Sequence, residues 1–217
     1  MESNKKEAIA ALKKELAGMK PAGRIKVKKL RTRYPQGAEK QMIASLLGRE
    51  VPSGGLPMDA GVIVQNVGTI LAIRDAVVLR IPLFSRCMTI AGGAIARPGN
   101  YKIRVGTRLA DIVEECGGFI EKPAKIVMGG PLCGTSVYSL DVPVVKGTSG
   151  VLFLTRKEAT HAGYSPCIRC GACVAVCPMG LLPCDLGNAA EKERYDLARA
   201  LNPRDCIMCG CCSYVCP

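Results

Sequence analysis

Cys167-Ile168-Arg169-Cys170-Gly171-Ala172-Cys173-Val174-Ala175-Val176-Cys177-Pro178 spaces four thiols as C-x2-C-x2-C-x3-C-P, and Cys206, Cys209, Cys212, Cys216 and Pro217 repeat that spacing. This is the bacterial two-cluster pattern for [4Fe–4S] ligation, in which the fourth Cys of each run serves the other cluster. An x2 loop is short enough for successive sulfurs to reach neighbouring irons of one cube. The spacing therefore predicts one cluster on Cys167, Cys170, Cys173 and Cys216, and a second on Cys206, Cys209, Cys212 and Cys177.

Structural zinc is the weaker reading. Zinc sites use paired C-x2-C elements, often with His, whereas here a third and a fourth Cys follow in each run and His161 is the one histidine. A disulfide framework fits less well. The 13 Cys are an odd number, the residues ahead of them do not read as a signal peptide, and their clustering leads us to expect a reducing compartment. Cys184 and Cys211 fall outside the spacing and are read as non-ligands. Cys87, Cys116 and Cys133 are isolated and are expected to be small buried apolar residues.

The 217 residues suffice for one to three small domains. Hydrophobic residues make up 48% of the chain but aromatics only 4%, with no Trp, so any core is aliphatic. No run approaches the roughly 18–20 apolar residues of a transmembrane helix, and a soluble or peripheral chain is expected. The net charge of +12 gathers early, at Lys5, Lys6, Lys13, Lys14, Lys20, Arg24, Lys26, Lys28, Lys29, Arg31, Arg33 and Lys40. With Tyr34 as the one aromatic there and no nucleic-acid motif, this run argues against nucleic acid. It suits a solvated face, an acidic partner or an anionic membrane surface.

Residues 5–17 read as an amphipathic helix stopped by Gly18, and Ile25 and Val27 begin a strand-like alternation. A helix and then a strand is an odd opening for an α/β domain, which leads us to expect that Met1 lies inside a larger domain. Gln36 to Lys40 opens a second helix closed by Gly48. Val62 to Val67 carries two amides, Gln65 and Asn66, which need partners if buried, whether backbone groups or a polar ligand. Thr69 to Leu79 reads as a helix with Ile70, Ile73, Ala76 and Val77 inward.

Tyr34-Pro35-Gln36-Gly37-Ala38-Glu39-Lys40-Gln41, Gly48-Arg49-Glu50-Val51-Pro52-Ser53-Gly54-Gly55-Leu56-Pro57-Met58-Asp59 and Val64-Gln65-Asn66-Val67-Gly68-Thr69 resemble the family of C subunits of the Rnf complex. The likeness continues through Pro143 to Gly150, both cysteine runs and Pro178-Met179-Gly180-Leu181-Leu182-Pro183-Cys184. That complex is a membrane-bound, ion-translocating ferredoxin:NAD oxidoreductase. The family is similar in turn to the flavoprotein of respiratory complex I, which binds FMN and NADH in an α/β domain. The resemblance implies flavin-side roles for Gly37 and Glu39, with Ala38 in place of a family carboxylate. It implies FMN phosphate-side roles for Gln65, Asn66 and Thr69, where the relatives have paired Asn. The family's Gly-rich FMN and NADH segment lies upstream of this chain, so an incomplete FMN site and NADH binding only in a full-length member are expected. It also implies partners among the other Rnf subunits and a peripheral place on the cytoplasmic face of the cell membrane. A soluble flavin and iron–sulfur reductase acting on cobalamin shares the domain order and is the alternative.

The expected fold is α+β and multidomain. It comprises part of a flavin/NADH-binding α/β domain at 1–84, a β-grasp domain of the SLBB kind at 85–140, a linker at 141–159 and a helical two-cluster ferredoxin-like domain at 160–217. Met88 and Ile90, a turn, Ile103 and Val105, then Leu109, Ile112 and Val113 give strand, strand and helix. No acid, base or phosphate loop converges there, so a scaffold role is expected. Ile126 to Gly130 adds a strand, and Asp185 to Leu201 reads as one helix between the cysteine runs. The chain is expected to be a fragment at both ends. No side chain is assigned acid, base or nucleophile work: NADH delivers two electrons as hydride, clusters carry one, and a flavin joins the two.

Overall fold

The computed structural model describes residues 1–19, 24–159 and 165–217. Lys20 of the basic run, His161 and the start of the expected cluster domain at 160 lie outside the described residues. In chain order the helices are α1 (Lys6–Ala17), α2 (Glu39–Leu47), α3 (Val67–Arg74), α4 (Leu109–Glu115), α5 (Ala172–Ala175), α6 (Pro183–Glu191), α7 (Tyr195–Ala200) and α8 (Cys211–Tyr214). The strands are β1 (Ser85–Ala91), β2 (Gly99–Arg104), β3 (Lys125–Met128), β4 (Thr135–Val137) and β5 (Gly150–Leu154). Two compact units result: Met1–Val64 with Cys177–Ile207, and Gln65–Val176 with Met208–Pro217. The chain is thus mixed α and β, with a single sheet among the described residues.

The sheet belongs to the second unit and runs β2-β1-β5-β3-β4. β1 is antiparallel to β2, with Met88 opposite Tyr101, and parallel to β5, with Ile90 opposite Val151. β5 is antiparallel to β3, where Ile126 faces Phe153. Period-two alternation sends Met88, Ile90 and Ile103 to one face. There they meet Leu109, Ile112, Val113 and Cys116 from α4 and the turn after it, forming the core. The same alternation turns Cys87 outward. Its expected burial is therefore corrected, while that of Cys116 holds.

The expected linker 141–159 carries β5, the central strand of this sheet. A strand paired on both edges has no solvent-facing edge, and Gly150, Val151 and Phe153 are all buried. Sequence shows the apolar run but not its neighbours. Phe153 packs edge-to-face on Phe119 at 5.4 Å between centroids and 63° between planes. A Cβ on Gly92 would stand 2.1 Å from the Phe153 carbonyl oxygen, and at φ 107° that turn needs glycine for both reasons. The carboxylate of Glu158 then accepts from the N–H groups of Thr155 and Gly93, each at 2.9 Å, tying the end of β5 to this turn.

The first unit is less deeply packed, and its buried apolar residues are Ile9, Ile43, Leu181 and Ala189. Ile25 and Val27 form no strand. Only Leu30 pairs, in an isolated bridge with Glu2, because the segment finds no longer partner among the described residues. The helix expected across 185–201 is two helices. α6 ends in a Schellman motif in which the Glu193 N–H bonds Ala190 O at 3.1 Å and the Arg194 N–H bonds Ala189 O at 2.8 Å. Glu193 takes the left-handed position, φ 53°, that glycine usually fills, which is why the residue types carry no stop signal there.

In the second unit α3 and the π-helical turn Asp75–Leu79 that continues it form as expected. Ile70, Ile73, Ala76 and Val77 are nevertheless exposed, not inward; Val77 is 74% exposed. Periodicity marks an apolar face without saying what covers it. No described helix is long and apolar enough to cross a membrane.

Truncating Phe153 to Ala is expected to cost about 3–5 kcal/mol in urea unfolding. Tyr138→Ala, at a fully exposed side chain, should stay within about 0.5 kcal/mol. Hydrogen bonds from Thr155 and then Gly93 hold the Glu158 carboxyl below the usual carboxylate range. Its contribution is present above the unfolded value of about 4.3 and lost as pH falls through the lowered folded value. Urea midpoints of Glu158→Gln should therefore fall less than those of the parent chain between about pH 6 and about pH 3.

Candidate metal centre

Both cysteine runs take up one backbone conformation. In the first, Arg169 (φ 55°) and Gly171 (φ 74°) are left-handed, α5 follows, and Val176 closes it at φ −98°, ψ −5°. In the second, Met208 (φ 50°) and Gly210 (φ 75°) are left-handed, α8 follows, and Val215 closes it at φ −93°, ψ −3°. Left-handed residues alternating with ordinary ones turn successive N–H groups toward a common concavity, the anion-binding arrangement found at many iron–sulfur sites. Among the described residues, the N–H groups of Ile168 to Cys173 find no acceptor. Such a row of idle donors suits the sulfurs of an anionic cluster.

α5 and α8 are single turns, too short to persist alone; they pack against each other within the second unit. None of the eight cysteines of the two runs is in a disulfide. Cys167, Cys170, Cys206 and Cys216 are exposed, and Cys173, Cys177, Cys209 and Cys212 half-buried. Cys167, Cys170, Cys173 and Cys216 belong to the second unit, as do Cys209 and Cys212, whereas Cys177 and Cys206 belong to the first. Among the described residues no three His, Cys, Asp or Glu converge on a single metal ion. A [4Fe–4S] cube asks for something else, four thiolates with one per iron. The donor set and the free amides fit that group.

Two further cysteines lie beside the second run. Cys133 is exposed, correcting the expectation of burial, and its thiol donates to the Met208 carbonyl at 3.2 Å. Burial pushes the Cys211 thiol up, and the Cys209 thiol beside it adds to the shift. In the first unit Cys177 Sγ accepts from the Leu181 N–H at 3.4 Å. Gln41, on α2, donates through Nε2 to the Pro178 carbonyl at 3.0 Å. The helix that begins at Glu39 is thereby fastened one residue past Cys177.

Gly37 and Glu39 sit at the entrance of α2 in the first unit, and Gln65, Asn66 and Thr69 at the entrance of α3 in the second; all five are exposed. Asn66 caps α3, its Oδ1 accepting from the Gly68 N–H at 2.8 Å. Its side-chain oxygen thus has a backbone partner. The side chains of Glu39, Gln65 and Thr69 make no hydrogen bond among the described residues and remain available to a ligand. A Cβ at Gly37 would meet nothing within 4 Å, so no contact among the described residues requires glycine there. Sequence reasoning passed over Gln41 and the left-handed Arg169 and Met208. Nothing in those residue types announces their role.

Residues 1–75 match the Nuo51 FMN-binding domain family, 88–136 the SLBB domain and 166–217 the 4Fe-4S dicluster domain. The chain is 50% identical over 199 residues to the C subunit of the proton-translocating ferredoxin:NAD(+) oxidoreductase complex of Clostridium ljungdahlii, covering 92% of this chain and 43% of that protein. The C subunit of the Na(+)-translocating complex of Acetobacterium woodii is 46% identical over 205 residues, covering 94% and 46%. The C subunit of the ion-translocating oxidoreductase complex of Rhodobacter capsulatus is 41% identical over 186 residues, covering 86% and 36%. The chain therefore spans less than half the length of these curated relatives.

Gly171 and Gly210 are expected to respond differently to alanine. A Cβ at Gly171 meets nothing within 4 Å, so only left-handed strain of about 1–2 kcal/mol applies. At Gly210 it would also lie 2.9 Å from the Leu132 carbonyl oxygen. Gly210→Ala should lower the urea midpoint of the anaerobically purified chain more than Gly171→Ala does.

Proposed function

We propose that this chain, similar over 86–94% of its length to C subunits of ion-translocating ferredoxin:NAD(+) oxidoreductase complexes, is an electron-transfer protein that holds two [4Fe–4S] clusters within an Rnf-type assembly. The observation that carries this reading is the repeated backbone device, which presents C-x2-C-x2-C-x3-C twice with the same left-handed positions. Cys167, Cys170, Cys173 and Cys216 hold one cluster, and Cys206, Cys209, Cys212 and Cys177 the other.

Clusters supply one-electron transfer, and a bound flavin would supply the exchange between single electrons and hydride. The chain's own residues bind and orient. Ile168 to Cys173 offer free N–H donors to the first cluster. Leu181 donates to Cys177 Sγ, and such hydrogen bonds to sulfur help set cluster potential. Gly37, Glu39, Gln65, Asn66 and Thr69 contribute part of an FMN site, Asn66 through the amide donors left free by its cap. The 85–140 segment together with β5 is a β-grasp scaffold. NADH and FMN binding by a full-length member, and association with the other Rnf subunits, belong to the same reading.

We place the protein peripherally on the cytoplasmic face of the cell membrane. The relatives are components of ion-translocating complexes, and the basic run from Lys5 to Lys40 suits an anionic surface. Iron, sulfide and zinc assays on anaerobically purified chain, with EPR of the reduced protein, test the cluster reading. About eight irons per chain are expected. Cys216→Ser and Cys177→Ser should each disturb a different cluster, while Cys184→Ser and Cys211→Ser keep the full iron content. Zinc bound in place of iron would overturn the electron-transfer reading.

A further inference from the structure

The first unit contains an open cleft of about 630 Å3 lined by Ser53, Gly54, Arg199, Asn202, Pro203 and Arg204. Its chemistry is one-sided. Arg199 and Arg204 have no carboxylate or other hydrogen-bond acceptor among the described residues, whereas Arg74, Arg108 and Arg194 each pair with aspartate. The acid next in sequence, Asp205, is already engaged, since the Ser53 hydroxyl lies 2.8 Å from both of its oxygens. That bond ties the Pro52–Pro57 loop to the 3-10 turn Pro203–Asp205 and builds the cleft wall.

The remaining lining groups also donate. The N–H groups of Ser53 and Gly54 make no hydrogen bond among the described residues. Asn202, left-handed at φ 52°, spends its N–H on the Arg199 carbonyl at 3.3 Å and keeps its carboxamide free. Two unpaired guanidinium groups, two idle backbone amides and a carboxamide thus share one concavity with no unengaged carboxylate on its wall.

Guanidinium forks match phosphate oxygens in a bidentate way. The cleft exceeds what a lone inorganic ion fills and falls within the roughly 300–1,000 Å3 usual for small-molecule sites. We propose that this cleft binds a diphosphate group, free or carried by a small organic molecule, between Arg199 and Arg204. The lining includes none of the flavin-side residues at α2 and α3, and the proposal does not depend on them. Cys206 follows the Pro203–Asp205 turn directly, so occupancy would stiffen the approach to the second cysteine run.

Isothermal titration of the anaerobically purified full chain with pyrophosphate and with ADP tests this. Saturable binding of either probe is expected, weakened at least about tenfold in the Arg199→Gln, Arg204→Gln double variant, a loss of about 1.4 kcal/mol or more. Arg156→Gln, at an exposed arginine that does not line the cleft, should bind as the parent does. Tighter ADP than pyrophosphate would identify a nucleotide as the source of the diphosphate, and the reverse order a free inorganic anion. Both arginines are exposed and unpartnered, so the variant should keep the parent's iron content and urea midpoint, which separates this test from that of the clusters. No binding of either probe to the parent chain, or undiminished binding to the double variant, would overturn the proposal.

Discussion

Each cysteine run has to turn its thiols and its N–H groups toward one concavity, and a right-handed chain cannot do so within an x2 loop. The backbone meets this constraint with two left-handed residues per run. One is glycine, at 171 and 210, where the conformation costs little. The other is Arg169 or Met208, where it costs of order 1–3 kcal/mol. Strain of that kind persists only where the surroundings over-determine it. Here the mutual packing of α5 and α8 and the Met208 carbonyl bonded by Cys133 provide some of that support. The donor-rich loops that result fit an anionic sulfur cluster better than they fit water alone.

The β-grasp sheet provides the rigid frame for the second run. Gly210 lies close against the Leu132 backbone, on the loop between β3 and β4. The segment following β3 is therefore in direct contact with the segment preceding Cys212. β3 is anchored in turn by β5, whose Phe153 is the largest fully buried side chain of the core. The domain has a mechanical part, because its central strand links the aliphatic core, through β3, to the loop against which Gly210 packs.

The first unit is held in a different manner. With few buried apolar residues, it relies on long-range polar ties: Gln41 to Pro178 and Ser53 to Asp205. Each joins the segment matching a flavin-binding family to the segment matching a dicluster family. The two segments are far apart in sequence but share one compact unit, which domain boundaries drawn from composition and motifs did not anticipate.

Motif spacing and local periodicity were legible in the sequence. The eight thiols, α1, α2 with its Gly48 stop, α3 and the strands about Met88, Ile103 and Ile126 all follow from chemistry within a few residues, and the family from motifs running along the chain. The rest depended on partners distant in sequence. That Val151 and Phe153 form the centre of a sheet is a matter of which edges pair with them. That Cys87 and Cys133 are exposed while Cys116 is buried depends on strand facing and on neighbours such as Met208. Glu193 ends a helix without glycine because tertiary context accepts its left-handed strain, and Arg199 and Arg204 share a cleft because Ser53 reaches Asp205. Sequence by itself determined the ligands on offer and the apolar faces, since these are local properties; only the tertiary structure decided what each of them meets, since that is a property of the folded pairings.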